Sequence, residues 1–548
     1  MLTLRALCNP VSICCFTFSI NRSSVPFPEI DIRSKDFAGA PRLNLKSRDA
    51  SQNLLLCHYI KLGKGRVSKS SKQAYEFSDF PWPCSVQEEY PNHNQVMEYL
   101  ESYALHFGLL PYIKFNTKVI DINYCVQQGQ DMRSWSHWGG TATDNCFTNP
   151  KGKWEVTTTC AAAVQGHLGQ DPRVYEVEFV ILCIGRFRGT PNIPDFPPKK
   201  GPEGFVNGKV IHSMHYSAME DSEATKFVKG KRVTVVGFQK SALDIANECA
   251  TVNGVENPCT LLYRNLHWNI PADYNPYTVL ASLYLNRFSE LMLYKPGEGR
   301  FLSLLVTLLS PLRWAISKCV ESYIKFKLPL KKYDLVPEHR FSADVTSCSI
   351  SIAPKDFYDR VEEGSILLKK SKGFGFYTNG LTFDDDATAA LESDIVILGT
   401  GYKGDLKLKN IFKSPTFQKH ITDVLNSTVP LYRESIHPRI PQLAVIGYSE
   451  SYANLYTSEM RCRWLAHFLE DGFKLPSIKE MEKDMLEWEK YMKRYSSRGA
   501  CIGALHTWYN DQLCKDMGCN PKRKKRFFAE LFEPYGPTDY ANLTPGKK

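Results

Sequence analysis

The feature that most constrains the fold is a strand that turns into a helix at Lys231–Gly237 (KRVTVVG). Its apolar run has no polar face, so it must be covered on both sides, the situation of a strand inside a parallel sheet flanked by helices. Ser241 to Thr251 then follows a helical pattern, and Cys259 to Arg264 reads as the next strand. Together these make a βαβ unit. Phe179 to Ile184, ended by Gly185, is a second buried strand. Asp394 to Tyr402 (DIVILGTGY) is a further strand and glycine junction, and Leu443 to Gly447 another apolar strand. The expected class is α/β.

At 548 residues the chain exceeds what one core supports, so two or more domains, or one domain inserted in another, are expected. With 43% hydrophobic and 23% charged residues it has the composition of an ordinary globular enzyme rather than a disordered chain. Its net charge of +10 is densest at Lys522, Arg523, Lys524, Lys525 and Arg526, beside Phe527 and Phe528 where a helix begins. That cluster reads as a solvated basic face, without a nucleic-acid motif. Seventeen cysteines with no C-x-x-C pair indicate neither a disulfide framework nor a zinc site, and fit a reducing, cytoplasmic compartment. Phe301 to Ile316 is the most apolar stretch, but Pro311 and Arg313 cut it short of the roughly 18 to 20 residues of a spanning helix. A buried or interfacial helix is expected there, and no transmembrane span.

Elsewhere the pattern predicts a helix over Gln95 to Phe107, strands at Val119 to Asn123, Trp154 to Thr158 and Val174 to Glu178, and a surface loop from Gln127 to Thr143. The Pro/Gly-rich stretch Pro191 to Gly204 is a linker. Ile478, Met481, Met485, Trp488, Met492 and Tyr495 mark an amphipathic helix, opened by a Ser477/Glu480 capping box.

The junction Gly237-Phe-Gln-Lys240-Ser241-Ala242 is where a dinucleotide would sit, because a helix start directs N–H groups and positive dipole at a pyrophosphate. Only Gly237 survives of the G-x-G-x-x-G pattern, a weak signal alone; Ala242 at the third position still permits close packing. The following strand ends in Arg264, whose guanidinium suits the 2'-phosphate of NADP. Taken alone, Arg264 reads equally well as a surface ion-pairing residue. Gly185, by itself, reads as a tight turn. His212 follows an apolar strand and lacks any nucleophile or acid motif nearby, so a structural role is expected of it.

These residues together resemble the flavin-containing monooxygenase family, in its plant branch, from about Lys72 to about Tyr540. The matching stretches are Tyr75–Pro83, Gly208–Tyr216, Gly237–Asp244, Arg264–Trp268, Gly399–Tyr402, Ile436–Pro441 and Tyr456–Glu459. The resemblance implies two Rossmann-like dinucleotide-binding domains, with an NADP domain (201–335) inserted into an FAD domain (72–200 and 336–548). It implies FAD and NADP as cofactors, with Gly237, Lys240, Ser241, Ala242 and Arg264 at NADP. Gly185, Gly401 and Tyr402 would lie near the flavin-domain crossovers. Trp82 reads either as a residue on the flavin side or as core. The implied reaction moves one oxygen atom of O2, through a flavin C4a-hydroperoxide, to the nitrogen or sulfur of a small amine or sulfide.

The resemblance breaks at the N-terminus. The family opens with a strand and a G-x-G-x-x-G turn for the FAD pyrophosphate, whereas in residues 1–71 the only glycines close before Lys72 are Gly63 and Gly65, which no buried strand precedes and no helix clearly follows. That divergent segment reads as a weak targeting peptide or as spurious sequence of a truncated gene model. The FAD domain is therefore expected to be incomplete. Two competing readings follow, a flavin-less NADP-binding or scaffold protein and an NADPH-dependent reductase.

Overall fold

The computed structural model describes residues 55–56, 72–126, 152–160, 172–187, 189–270, 282–385, 389–422, 429–495 and 501–543. The expected loop at 127–143, and nearly all of the divergent segment 1–71, lie outside them. The strands that position the site are β1 (Val180–Leu182), β2 (Lys209–His212), β3 (Val233–Val236), β4 (Cys259–Tyr263), β5 (Ile366–Lys370), β6 (Ile395–Leu398) and β7 (Leu443–Val445). The helices are α1 (Lys240–Asn253), α2 (Arg300–Lys327), α3 (Phe341–Thr346), α4 (Asn454–Leu469), α5 (Ile478–Tyr495) and α6 (His506–Asp516).

Five strands form one parallel sheet in the order β5–β4–β3–β6–β2. Every residue of β3, β4 and β6 is buried, and apart from Thr234 and Thr260 all of them are apolar, as strands covered on both faces require. β5 and β6 lie beyond residue 335, the end of the NADP domain that the resemblance implies, so the sheet itself runs on to Leu398. The segment between β4 and β5 hides this continuity, because a long helical excursion separates two strands that pair in register from Cys259 with Ile366 to Tyr263 with Lys370.

β1 and β7 pair in parallel, Val180 beside Leu443, although the whole five-stranded sheet lies between them in sequence. The chain thus leaves one unit after Leu182, builds a second, and is back in the first by Leu408, which shares the core of β1 and β7. Thr117–Val126, Gly152–Cys160 and Arg173–Val177 form an antiparallel sheet packed through Trp154 and Val156 onto the same core as β1 and β7. These strands are the three expected from alternation. The helix expected at Gln95 to Phe107 is His93–His106, started by an Asn92/Gln95 capping box.

α5 carries the expected capping box: Glu480 N–H donates to Ser477 Oγ at 3.3 Å and Ser477 N–H to Glu480 Oε2 at 3.0 Å. Its apolar side packs onto the chain's own core through Ile478, Met481, Tyr491 and Met492. The helix expected at Phe301 to Ile316, buried or interfacial, is α2, and it runs longer than that stretch. Pro311 does not end it; the helix runs for 28 residues, and its first half is exposed rather than buried, with Phe301 at 79% and Leu308 at 68% exposure. Losing one N–H donor is tolerated because the second half is anchored, with Ile324 buried in the core and Ile316 and Val320 packed on it. By length and composition, α2 is the one described helix long and apolar enough to cross a membrane.

One further expectation is corrected. Cys348 and Cys501 form a disulfide across 153 residues. No short spacing announces it, since the pair is made by the tertiary approach of the turn after α3 to the segment before α6.

Candidate functional site

All five strands of the parallel sheet point their carboxyl ends the same way. From β3 the chain winds through α1 to β4 on one side, while β6 and β2 lie on the other, so the order reverses between β3 and β6. In open α/β sheets, ligands bind at the carboxyl edge beside such a reversal. At this place Gly237 follows β3 and Gly399 follows β6. Gly399 N–H donates to Val236 O at 2.7 Å and Gly237 N–H to Leu262 O at 2.8 Å.

Both glycines are required by close approach. Gly237 has φ +131°, and a Cβ there would stand 2.6 Å from Gly399 O. A Cβ on Gly399 would stand 2.9 Å from Val236 O and 3.0 Å from the Ala242 Cβ. Ala242 is fully buried, so the small residue at the third position of the turn seats α1 against the strands. The result is a shallow backbone cradle at a helix N-terminus whose first turn has no side-chain cap, the arrangement that accepts a pyrophosphate.

The structure brings Gly237, Lys240, Ser241 and Ala242 together at this turn. Lys240 Nζ pairs with Asp244 Oδ1 at 2.5 Å along the helix, a partner that the sequence pattern did not single out. Arg264 is exposed at the end of β4, on the edge next to Gly237. An uncapped helix start and an exposed guanidinium on the neighbouring strand are a donor set suited to phosphate groups.

The two crossovers meet. Asn192 N–H donates to Gly401 O at 2.9 Å, Asn192 Nδ2 to Thr400 O at 3.1 Å and Lys403 N–H to Thr190 O at 2.9 Å. Pro191 and Tyr402 form an antiparallel bridge. Gly185 and Gly401 have φ of +60° and +85°, as sharp reversals at the two strand exits require. His212 lies at the same place and is structural: Nδ1 accepts from Met214 N–H at 3.1 Å, leaving Nε2 to donate to Gly401 O at 2.9 Å. Burial holds its pKa below the usual imidazole value, in keeping with this neutral tautomer.

Trp82 stands apart from these residues. Its ring stacks on Tyr99 at 4.2 Å, and its indole N–H donates to Lys72 O and Tyr75 O at 2.9 and 2.8 Å. It packs against the aromatic cluster around Tyr75, Phe77, Tyr99 and Tyr103.

Two features were missed in the sequence. Ser78, from the first matching stretch, donates to Glu459, from the last: N–H to Oε2 at 2.9 Å and Oγ–H to Oε1 at 2.6 Å. Glu459 in turn holds Arg463 at 2.7 Å, both side chains being buried. A second uncapped helix start follows β7, where Gly447 at φ +73° leads toward α4. The signal was an apolar strand followed by glycine, as at Gly237. Among the described residues, no glycine-rich strand-to-helix turn supplies the pyrophosphate cradle of a flavin dinucleotide, so the described part of this unit does not by itself fit FAD.

The comparisons agree with the architecture. Residues 33–547 match the family described as flavin-binding monooxygenase-like, which carries the likeness upstream of Lys72 into the segment expected to diverge. Probable flavin-containing monooxygenase 1 of Arabidopsis thaliana is 40% identical over 480 residues, covering 86% of this chain and 87% of the relative. Putative flavin-containing monooxygenase 2 of the same plant is 35% identical over 458 residues, covering 83% and 88%. The solved structure of OTEMO in complex with FAD and NADP shares the fold at a TM-score of 0.55 and 15% identity, over 83% of this chain and 90% of that one. With a backbone cradle at the strand reversal, two parallel-strand units and a sequence match over most of its length, the chain belongs to the flavin-binding monooxygenase-like family.

Proposed function

We propose that this protein is an NADPH- and FAD-dependent monooxygenase that delivers one oxygen atom of O2 to the nitrogen or sulfur of a small amine or sulfide. The observation that carries this reading is the cradle of Gly237, Gly399 and Ala242 at the strand reversal, with Arg264 on the next strand. In that reading backbone N–H groups at the start of α1 hold the pyrophosphate and Arg264 the 2'-phosphate. The paired crossovers at Asn192 and Gly401 fix the two units relative to each other, as a reaction between two bound cofactors requires. Flavin supplies the oxygen chemistry, and no described residue is assigned to its pyrophosphate.

A second reading, an NADP-binding protein without flavin, is favoured by one observation: the missing glycine-rich turn among the described residues of the β1–β7 unit. Purified protein separates the two. Near-stoichiometric flavin absorbance, together with NADPH- and O2-dependent oxygenation of a tertiary amine or a thioether, supports the monooxygenase. A protein that stays colourless after incubation with FAD, yet binds NADPH, refutes it.

A further inference from the structure

We propose that His267, His339 and Asp344 form a binding site for one divalent ion of the zinc class, placed beside the nucleotide cradle. His267 lies three residues beyond Arg264, in the loop that leaves β4. Asp344 lies on α3, and His339 just before it. His267 Nδ1 is 3.1 Å and His339 Nε2 is 2.9 Å from the same carboxylate oxygen, Asp344 Oδ1. All three candidate ligand atoms lie within 4.8 Å of one another.

Tetrahedral zinc with nitrogen and oxygen ligands at about 2.0 to 2.1 Å sets neighbouring ligand atoms roughly 3.3 Å apart. Two of the three separations are already within a few tenths of an ångström of that value. Rotation of either ring adjusts the third.

Three observations separate this trio from an ordinary polar contact. His339 Nε2 is buried and its partner is Asp344 Oδ1, the same oxygen that His267 Nδ1 approaches, so two imidazoles converge on one carboxylate atom. The second oxygen, Asp344 Oδ2, accepts the backbone N–H of Trp268 at 2.7 Å, and the Trp268 indole N–H donates to His339 O at 2.9 Å. This is the outer support that orients metal ligands. Finally, the Asp344 side chain is only 4% exposed while His267 and His339 are 20% and 37% exposed, which gives an ion and a solvent ligand a way in. Glu321 and Glu338 add negative charge around His339.

On binding, each imidazole coordinates through the nitrogen that now faces Asp344. Its proton moves to the other ring nitrogen or, from an imidazolium, to solvent. Two imidazoles and one carboxylate, with a position open to water, suit zinc or cobalt better than calcium or magnesium, which prefer oxygen alone. The ion would staple the loop carrying Arg264 to α3.

The test uses the full-length protein stripped with a chelator and titrated with Zn2+ alone by calorimetry, with Co2+ as a visible probe. One tight site per chain is expected, with cobalt absorption of nitrogen and oxygen coordination and no thiolate charge-transfer band. That band would report the exposed cysteines Cys84 and Cys319 instead. His339→Ala and Asp344→Asn should each lower Zn2+ affinity at least tenfold. Should Asp344→Asn fail to fold, His339→Ala decides, since its side chain reaches solvent. Wild-type protein that takes up no stoichiometric Zn2+, or a His339→Ala variant that keeps wild-type affinity and cobalt spectrum, overturns the proposal and leaves the trio as a hydrogen-bonded clasp.

Discussion

Three residues carry separable consequences. At Gly237, positive φ and the 2.6 Å approach to Gly399 O both oppose a Cβ. Gly237→Ala should therefore cost about 1 to 3 kcal/mol and weaken NADPH binding. Gly254→Ala, also at positive φ but with nothing within 4 Å of its Cβ, is the control for strain alone. Equal behaviour of the two in NADPH binding would count against the cradle. Arg264→Ala should weaken NADPH by about 1 to 3 kcal/mol and leave NADH almost unchanged, read from the two dissociation constants. Equal losses refute contact with the 2'-phosphate. Glu459→Gln should cost about 3 to 5 kcal/mol in denaturant unfolding, because it leaves Arg463 charged, buried and without its carboxylate. Gly237 and Arg264 were legible in the sequence because strand ends are local. Gly399 as the partner of Gly237, and Ser78 as the partner of Glu459, were not, because each contact joins segments more than 150 residues apart.

At the scale of elements, α6 shows how a helix end is satisfied from elsewhere. Its own N-cap, Leu505, has no side chain to offer. Glu290 supplies the acceptors, taking Thr507 N–H at 2.8 Å and Trp508 N–H at 2.9 Å. Burial pushes this carboxyl up to about 8 from an ordinary 4.5, while nearby Lys295 pulls the other way. The folded protein keeps the proton to about pH 8, whereas the unfolded chain loses it near 4.5, so this group's contribution to stability falls as pH rises through that window. Each tenfold difference in proton affinity between the folded and unfolded chain is worth about 1.36 kcal/mol, so the fall is at most roughly 5 kcal/mol. Glu290→Gln keeps an acceptor oxygen and removes the titration. Its melting temperature should gain on the wild type steadily from pH 5 to 8, and parallel curves would refute the assignment. α1 was predictable from its period and α5 from its period and its Ser477/Glu480 cap, because each lies within one segment. The full length of α2 was not legible in its apolar stretch, because the anchoring of the helix beyond Pro311 is tertiary.

For the whole molecule, the Cys348–Cys501 bridge closes a loop of 153 residues. Cross-linking residues that far apart restricts the unfolded chain, so Cys501→Ser should lower unfolding free energy by about 2 to 4 kcal/mol. Unchanged denaturant midpoints with and without reductant would show that the bridge is not formed in solution. The inserted arrangement is also a whole-molecule property: β1 and β7 pair only after the five-stranded sheet has been completed between them.

What the sequence determined by itself is the class of fold and the position of the strand-to-helix turn at Gly237. Both rest on local chemistry: an apolar run buried on two faces, a glycine at its end, and a helix that follows. Only the tertiary structure decided where the inserted sheet ends, what crowds Gly237, which residues join Ser78 to Arg463, and that His267 meets Asp344. Each of these is a contact between segments distant along the chain, selected by packing and by the need to satisfy buried polar groups, and neither periodicity nor spacing records it.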